Sequence, residues 1–336
     1  MKGEWEIVFW DVGQGDAATI RLPDSSFILI DSGPTVQQGN PLPAWFVRNG
    51  HPYIRLAVVT HSHSDHFGGL ISLCRESEQR IETVMLMDDA ALRQNPKPED
   101  LENLLRELLS RKRSGATQVS LVNGAQELCS ADGLRLRVAY PADISKIGKL
   151  PLDVNKTSMV IILECVNSDG SSPMVVFGSD APLAAIKATC AGATPLVLTG
   201  PHHGGPQGKR GKTPDYLRFF KDDMHPGCIF LSVGRSNGYQ LPDPKYIKGA
   251  ANAGITTCCS QLARRCDENR TTDVFEGSAL VGIDKPAHSV QCRGALRVYA
   301  SEGGIRFDEN QSEFIKAVES RFPGAPCKNK TLQKSA

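Results

Sequence analysis

The sequence has no segment suited to crossing a membrane. None of the apolar runs in its 336 residues reaches the length of about 20 residues that a membrane-spanning helix needs. The start, "MKGEWEIVFWDVGQGD", carries acidic residues and glycines where a signal peptide would have a continuous apolar stretch. We therefore expect a cytoplasmic protein that does not insert into membranes.

The sequence also has almost no net charge, since it contains 38 lysines and arginines and 37 aspartates and glutamates. A formal charge of +1 creates no overall field that would attract nucleic acid, so binding of a polyanion must depend on a local patch. The glycine-rich "VGQGD" lacks the serine of a nucleophile elbow, and it does not have the lysine and serine or threonine of a P-loop. The sequence thus gives no sign of either motif.

Ten cysteines are spread through the chain, mostly in apolar stretches such as "IILEC". This distribution is typical of buried thiols rather than of a secreted disulfide scaffold. One set would make a structural zinc site if the loop between its members folded back: Cys258, Cys259, Cys266 and Cys292, with His288 nearby. The irregular spacing of this set favours plain buried thiols instead.

Strands and helices alternate in two similar halves. "EIVFW", "AATIRL", "FILID" and "LAVVT" predict an opening β-meander, and a stripe of leucines over residues 101–109 predicts a helix. A second set of strands runs from "QVSLV" to "ITTCC", with helices near 182–190, 214–221 and 244–252. Each half predicts a β layer covered by helices. We expect one domain over residues 1–307, with an irregular insertion at about 262–291, followed by a C-terminal helix and tail over 308–336.

The segment "VVTHSHSDHFGGL", residues 58–70, is a dense group of metal-ligand residues. His61, His63, Asp65 and His66 follow directly after an apolar strand, and neutral imidazole and carboxylate are ligands that zinc, manganese and iron accept. The two glycines at 68–69 would let the next helix approach closely, because they carry no Cβ atom. The segment predicts a metal site at the end of a strand.

Three further groups follow other predicted strands. Asp180 ends "MVVFGSD", where a carboxylate is suited to bridging two ions, and His202 and His203 follow "PLVLTG". Asp31 ends "FILID" and is placed to orient a ligand histidine from behind. A solvated strand end is the plain alternative for each one alone, but together they predict acidic and imidazole groups along one sheet edge.

These motifs resemble those of a known family. The HxHxDH turn followed by "GSD" and "PHHGG" resembles the metallo-β-lactamase superfamily of hydrolases, which implies an α/β (α+β) fold with four αββα layers. Over most of residues 5–307, "DVGQGDA", "ILIDSG", "THSHSDHFGG", "NKTSMVI" and "PHHGG" resemble the hydrolase domain of the DNA-uptake competence protein ComEC. The membrane channel of that protein has no counterpart in these residues.

The resemblance implies one or two divalent ions per chain, Zn²⁺ or Mn²⁺. One ion would be held by His61, His63 and one residue of the histidine pair, with His203 favoured; the other would be held by Asp65 and His66, and Asp180 would bridge. The resemblance also implies a cleft with a floor formed by Asp11, Gln14 and Asp16 and a wall formed by Asn155 and Ser158. The candidates for catalysis are Asp65, His202, Asn155, Lys209 and Arg210.

One position departs from the family pattern. Where ComEC-like domains have tyrosine, glycine, histidine and proline, this chain reads "NGYQLP", so Leu241 stands where the second metal would gain a histidine. Three responses are open: His225 or His288 reaches in from a loop, water fills the place, or one metal alone binds tightly. We favour water or a weakly held second metal, because neither spare histidine lies in the matching loop.

The ligand set predicts a hydrolase. A bound divalent metal lowers the pKa of water from about 15.7 to roughly 7, which supplies hydroxide for attack on an ester. Lys209, Arg210 and Lys212 follow the histidine pair in "PQGKRGK" and would neutralise phosphate oxygens, unless they form only a solvated loop. We expect a phosphodiesterase or nuclease acting on DNA, RNA, a nucleotide or a phosphorylated lipid head group. The alternatives are a thioester or lactam hydrolase, or a regulatory module weakened by Leu241.

Overall fold

The computed structural model describes residues 3–146, 153–167, 170–190, 192–206, 214–322 and 324–328. In chain order its strands are β1 Trp5–Phe9, β2 Ala17–Arg21, β3 Phe27–Ser32, β4 Ile54–Val59, β5 Ile81–Met87, β6 Gln118–Val122, β7 Gly124–Ala131, β8 Leu134–Asp143, β9 Val160–Asn167, β10 Gly170–Phe177, β11 Val197–Thr199, β12 Cys228–Leu231, β13 Thr256–Cys259, β14 Leu296–Ser301 and β15 Gly304–Phe307. Its helices are α1 Leu42–Arg48, α2 Ser64–Arg75, α3 Glu99–Arg113, α4 Leu183–Cys190, α5 Tyr216–Arg218, α6 Pro244–Asn252, α7 Gly277–Leu280 and α8 Asn310–Arg321. A π-helical turn, Phe219–Asp223, continues α5.

The strands of the described residues form two mixed sheets. The first has the order β15-β14-β1-β2-β3-β4-β5-β6, and the second has the order β13-β12-β11-β10-β9-β8-β7. Strands β3 to β6 run parallel in the first sheet, as β10 to β13 do in the second, and the remaining neighbours are antiparallel. Each sheet therefore has one parallel half, whose strand ends lie along one edge.

The central strands of the first sheet, β1 to β4, are buried on both faces, which explains their nearly continuous apolar sequences. Because side chains alternate along a strand, Ile7 and Phe9 of β1 point into the space between the sheets. Val8 and Trp10 point the other way and belong to a second apolar cluster on the outer face of this sheet, the outer cluster. The same outer cluster contains the buried residues of α1, α2 and α3. The helices thus cover the outer face of this sheet.

Aromatic contacts join the two sheets. The ring of Phe9 lies 5.7 Å from that of Phe177 and 5.5 Å from that of Phe230, both on the second sheet. On the far side of that sheet, α4 packs against β8 and α6 against β13. The layers are helix, sheet, sheet and helix, which confirms the expected αββα sandwich of the metallo-β-lactamase type.

The structure differs from the predicted strand pattern in three places. Strand β4 pairs parallel to β3 and not antiparallel as in the predicted β-meander, because helix α1 carries the chain across. "QVSLV" forms β6 of the first sheet rather than starting the second, and β7 was not predicted. The last hairpin returns to the first sheet, where β14 pairs with β1.

The C-terminal part contains little regular structure before that hairpin. Helix α7, with four residues, lies within the predicted irregular insertion. Helix α8 packs through Phe314, which is buried and contacts the ring of Phe275 at 5.8 Å. The proposed domain end at residue 307 stays a prediction. No helix in the described ranges is both long and apolar enough to span a bilayer.

Candidate metal centre

The carboxyl ends of parallel strands bring the predicted ligands together. The turn that starts at His61 follows β4, Asp180 follows β10, and His202 and His203 follow β11. Asp31 lies near the end of β3. These strands end at the edge where the parallel halves of the two sheets meet, so residues far apart in sequence become neighbours there.

Helix α2 approaches this edge very closely. A Cβ atom at Gly68 would lie 2.4 Å from the backbone nitrogen of Thr35, and one at Gly69 would lie 2.3 Å from the carbonyl oxygen of Ser32. Side chains at either position would force the helix away from the sheet. The expected role of the two glycines is confirmed. The close approach brings Asp65 and His66, in the first turn of α2, to the sheet edge where the other predicted ligands lie.

Asp180 lies at the centre of the cluster, with imidazole nitrogens facing both of its carboxylate oxygens. Its Oδ1 is 3.4 Å from His66 Nε2 and 3.6 Å from His203 Nε2. Its Oδ2 is 3.5 Å from His61 Nε2 and 3.7 Å from His202 Nε2. Such an arrangement suits a carboxylate between two cations, which is the bridging position that the sequence predicts.

The two remaining predicted ligands, His63 and Asp65, lie next to different histidines of the cluster. His63 Nδ1 lies 3.2 Å from His61 Nε2, and Asp65 Oδ2 lies 3.4 Å from His203 Nε2. The ligand atoms of Asp65, His66 and His203 all lie within 4.8 Å of one another. The structure therefore groups His203 with Asp65 and His66. The expectation that His203 shares an ion with His61 and His63 stays a prediction.

Two carboxylates lie on the Nδ1 side of the His66 and His203 rings. Asp31 Oδ2 is 2.8 Å from His66 Nδ1, and both of its oxygens accept hydrogen bonds from Thr60. Asp16 Oδ1 is 3.4 Å from His203 Nδ1. A carboxylate on the Nδ1 side fixes the tautomer and turns Nε2 toward the cluster, as is common behind metal ligands. Asp31 has the position that we expected for an orienting group.

Several buried atoms of the cluster lack a hydrogen-bond partner among the described residues, namely His66 Nε2, both ring nitrogens of His203 and Asp180 Oδ1. Leaving such atoms unsatisfied is costly, and the Nε2 atoms of His66 and His203 both face Asp180 Oδ1. Neutral imidazole and carboxylate are donors that Zn²⁺, Mn²⁺ and iron accept. The residues therefore fit a divalent metal ion.

The electrostatics of the cluster point the same way. Burial opposes the charged forms, but Asp180 and Asp31 outweigh it and raise the pKa of His66 well above its ordinary value. The charges of His66 and His203 hold the pKa of Asp180 far below its usual range despite burial. His63 differs, since burial and the neighbouring His61 lower its pKa to about 4. Ionised carboxylates therefore lie next to imidazoles that tend to hold a proton. A bound metal cation would take the place of those protons.

A cleft of about 540 Å³ opens above the cluster. Gln14, Tyr239 and Leu241 line it together with His63, Asp65, Asp180, His202 and His203. Asp11, expected on the floor, is instead fully buried and does not line the cleft. Behind the cluster, Ser158 Oγ lies 3.3 Å from His61 Nδ1, and Asn155 Nδ2 lies 3.4 Å from His202 Nε2.

The other predicted residues lie elsewhere. His225 and His288 are exposed and belong to none of the ligand groups found in the described part of the chain. Lys209, Arg210 and Lys212 lie outside the described residues.

The cysteines considered above for a zinc site are not gathered into one ligand group in the described residues. Cys259, Cys266 and Cys292 line a cavity of about 380 Å³ together with Cys327. Cys258 is turned away from this set, with its sulfur 3.2 Å from that of Cys228. Within the described ranges, no group of three or more ligand atoms closer than 4.8 Å includes a cysteine.

Sequence reasoning missed Asp89, which follows β5. Its carboxylate is fully buried, accepts a hydrogen bond from the backbone N–H of Ser62 at 2.8 Å, and caps the turn at Ala91. Ser62 stands between His61 and His63, so Asp89 fixes the turn that carries both. An aspartate after a buried strand, in "MLMDD", was the available signal.

Comparison with known proteins gives one family-model match and several similar solved structures. Residues 27–139 match the family model described as a β-lactamase superfamily domain. Similar solved structures include a metallo-β-lactamase from Pontibacter korlensis, with 17% identity and a TM-score of 0.27 over 49% of this chain and 59% of that one. Unliganded yeast PDE1 has 11% identity and a TM-score of 0.37 over 76% and 87% of the two chains. A long form RNase Z from yeast has 10% identity and a TM-score of 0.37 over 94% and 44%.

The match spans less than two thirds of the Pontibacter korlensis chain. No curated protein matches this chain in sequence. The finer resemblance to ComEC-like domains stays a prediction, and the function has to be argued from the site itself.

Proposed function

We propose that this chain is a metal-dependent hydrolase that cleaves phosphodiesters. The observation that carries the proposal is the set of buried, unpartnered atoms around Asp180, where His66 Nε2 and His203 Nε2 face Oδ1 within 3.6 Å. The residues that would hold the metal are His61, His63, Asp65, His66, Asp180 and His203. When bound there, a divalent metal supplies hydroxide at neutral pH and polarises the ester oxygen.

Asp65 is the residue of this chain that would position the attacking water molecule in the cleft. The Asp65 side chain is 32% exposed and belongs to the cleft lining, so it can reach a water molecule there. Burial acts to raise its pKa, but the charges of His66 and His203 outweigh this and hold the pKa well below its usual range. Asp65 is therefore an ionised acceptor that would orient the attacking water through a hydrogen bond.

The cleft is large enough for a small-molecule substrate. Its volume of about 540 Å³ is within the range of small-ligand pockets, and glutamine, histidine, serine and aspartate residues are among those that line it. Pro206 lines the same cleft, and the sequence places three cations, Lys209, Arg210 and Lys212, three to six residues beyond it. Lysine and arginine side chains suit the oxygens of a phosphodiester better than a lactam or a thioester.

The test is hydrolysis of three substrates by the purified protein with added Zn²⁺ or Mn²⁺. We expect turnover of bis(p-nitrophenyl) phosphate and cleavage of plasmid DNA, and no turnover of nitrocefin. Asp65→Ala should reduce the phosphodiesterase rate by about 100-fold or more, in line with the loss of a general acid–base group. The matched control is Asp222→Ala, which removes an exposed carboxylate on another element and should leave the rate unchanged.

Turnover of nitrocefin alone would replace the phosphodiester proposal with a lactam hydrolase. Tight metal binding without turnover of any ester would favour a regulatory module. A cleavage rate that is the same with and without a chelator would contradict the role of the metal.

A further inference from the structure

A second cleft, here called the side cleft, opens next to the main cleft above the histidine and aspartate cluster. Its volume of about 430 Å³ is within the range of small-ligand pockets. Leu241 lines both clefts, so the two meet at this residue. In the described part of the chain, the lining of the side cleft includes none of the predicted metal ligands and is mostly polar or charged, with Arg235, Asn237, Gln240, Arg264, Arg265 and Glu268.

Tyr239 stands at the boundary between the two clefts. It lines the main cleft, while its neighbours Gly238 and Gln240 line the side cleft. At 81% it has the greatest exposure of the large apolar residues in the described ranges. An exposed aromatic ring beside a cleft is a surface on which an unpaired nucleic-acid base can stack.

The loop that carries Tyr239 is fixed by the side chain of Asn237. Asn237 Nδ2 donates to the carbonyl of Gly234 at 2.6 Å and to that of Leu241 at 3.2 Å. Asn237 Oδ1 accepts from the Leu241 N–H at 2.7 Å. These hydrogen bonds close the loop and hold the backbone at Tyr239 before any ligand arrives, which lowers the entropy cost of binding there.

The opposite wall of the side cleft, residues 262–270, is tied to this loop by Arg235. The backbone N–H of Arg235 donates to Gln261 Oε1 at 2.8 Å. Its guanidinium donates to four main-chain carbonyls at distances between 2.6 and 3.1 Å, those of Leu262, Asp267, Glu268 and Arg270. Arg235 therefore shapes the side cleft, and both walls are held by hydrogen bonds.

Arg264 and Arg265 are the cations that remain to meet a ligand. Both are exposed, and Arg264 makes no hydrogen bond or ion pair with another described residue. Arg265 donates to Gln240 Oε1 at 3.4 Å, a long contact. Glu268 is one carboxylate in a lining that has three guanidinium groups. Guanidinium groups bind phosphate oxygens through paired hydrogen bonds, so the side cleft suits a phosphate.

A nucleotide unit matches this combination of groups. Its base can stack on the ring of Tyr239, and its phosphate can pair with the two free arginines. A phosphorylated lipid fits less well, because Leu241 and Ala263 are the apolar aliphatic side chains in the lining and offer little surface to an acyl chain. Stacking on a protein ring also needs a base that is not paired in a duplex.

We propose that the side cleft is a second binding site, which takes a nucleotide unit adjacent to the scissile phosphodiester of an unpaired nucleic-acid strand. Tyr239 stacks on a base at the boundary, and Arg264 and Arg265 bind the phosphate beyond it. The inference rests on the proposed function for the position of the scissile bond, whereas binding of the strand does not require cleavage. Tyr239 and Arg264 are thus positioning residues.

Strand binding by the metal-free chain tests the side cleft by itself. In EDTA, the fluorescence anisotropy of a labelled single-stranded oligonucleotide should show that Tyr239→Ala weakens binding by about 10-fold, in line with the loss of one stacked base. Tyr239→Phe, which keeps the ring, should bind as the wild type does. A duplex of the same sequence should bind more weakly than the single strand. Thermal unfolding in EDTA, compared with that of the wild type, shows that each variant is folded.

The salt dependence of the same binding tests the arginine. Arg264→Ala should weaken binding by about 10-fold at low salt and lower the slope of log K against log salt by about 1. Arg264→Lys keeps the charge and should recover most of the slope. The matched control is Arg113→Ala, which removes an exposed cation on α3 and should change neither the affinity nor the slope.

Cleavage with added Zn²⁺ or Mn²⁺ connects the side cleft to the main cleft. In Tyr239→Ala and in Arg264→Ala, kcat/KM for the oligonucleotide should fall by about 10-fold relative to kcat/KM for bis(p-nitrophenyl) phosphate, which lacks a neighbouring nucleotide. The loss should appear mainly in KM. Equal losses on both substrates would mean that the variants disturb the main cleft, and would overturn the positioning role.

Unchanged strand binding in both Tyr239→Ala and Arg264→Ala, or a duplex bound as tightly as the single strand, would overturn the proposal. Tighter binding of a phosphopeptide or of phospholipid vesicles than of the strand would overturn it as well. Strand binding with the predicted losses, but without cleavage of any phosphodiester, would refute the proposed function and leave the assignment of the side cleft standing.

Discussion

Asp11 offers a quantitative test of how the glycine-rich turn is held. The carboxylate is fully buried and accepts hydrogen bonds from Gln261 Nε2 at 2.9 Å, Gln291 Nε2 at 3.2 Å and the N–H of Gly13 at 3.3 Å. No cation faces it among these partners, and burial raises its pKa from the ordinary value of 3.8 to about 6. Its ionised form is therefore less favourable in the folded state than in the unfolded state.

The sign of the effect on stability follows directly. Below pH 3.8 the carboxyl is protonated in both states and costs nothing, whereas above about pH 6 it is ionised in both and the folded state bears the full cost. Since one pH unit corresponds to about 1.4 kcal/mol, that cost is about 3 kcal/mol. Stability contributed by Asp11 is lost as the pH rises through this window.

The assay is urea unfolding of the wild type and of Asp11→Asn at intervals from pH 4.5 to pH 7, with EDTA present throughout. The asparagine keeps the shape but never ionises. Its free energy of unfolding should therefore gain about 2 kcal/mol relative to the wild type across this range. Asp222→Asn is the control, since that carboxylate is exposed. Parallel pH profiles for the wild type and Asp11→Asn would refute the reasoning.

Three further changes test metal binding and helix packing at the sheet edge that carries the cluster. Asp89→Asn replaces one of the two oxygens that accept from the N–H groups of Ser62 and Ala91 and should weaken metal binding by about 10-fold, measured by chelator competition. Asp88→Asn, on the half-buried neighbour that pairs with Arg93, should not. Gly68→Ala places a Cβ atom 2.4 Å from the Thr35 nitrogen and should lower the free energy of unfolding by about 1–3 kcal/mol in urea titrations; unchanged stability would mean that the helix is not closely packed. Removing the metal with EDTA should lower the thermal midpoint, and Zn²⁺ should restore it, because a ligand that binds only the folded state stabilises it.

Local patterns in the sequence were enough to predict much of this protein. Strand β1 alternates between two buried faces, and the HxHxDH turn needs only six residues to place its ligands, so neither prediction depended on distant contacts. The two sets of strands predicted two β layers covered by helices, and the four αββα layers were what the family resemblance implied.

The parts that were missed depend on long-range contacts or unusual backbone. Asp89 reaches Ser62 across 27 positions, and Asp11 meets Gln261 across 250, so no short window shows either pair. The side on which His203 lies depends on two left-handed residues in succession, which non-glycine side chains do not indicate. Helix α1 was hidden by a segment rich in glycine and proline.

The most direct test of the central claim is an anomalous-scattering map from crystals grown with Zn²⁺ or Mn²⁺. The account predicts at least one peak at the Asp180 carboxylate, beside the imidazoles of His66 and His203. A map with no peak at this edge, and with Asp180 paired directly to the imidazoles of His61 and His66, would contradict it.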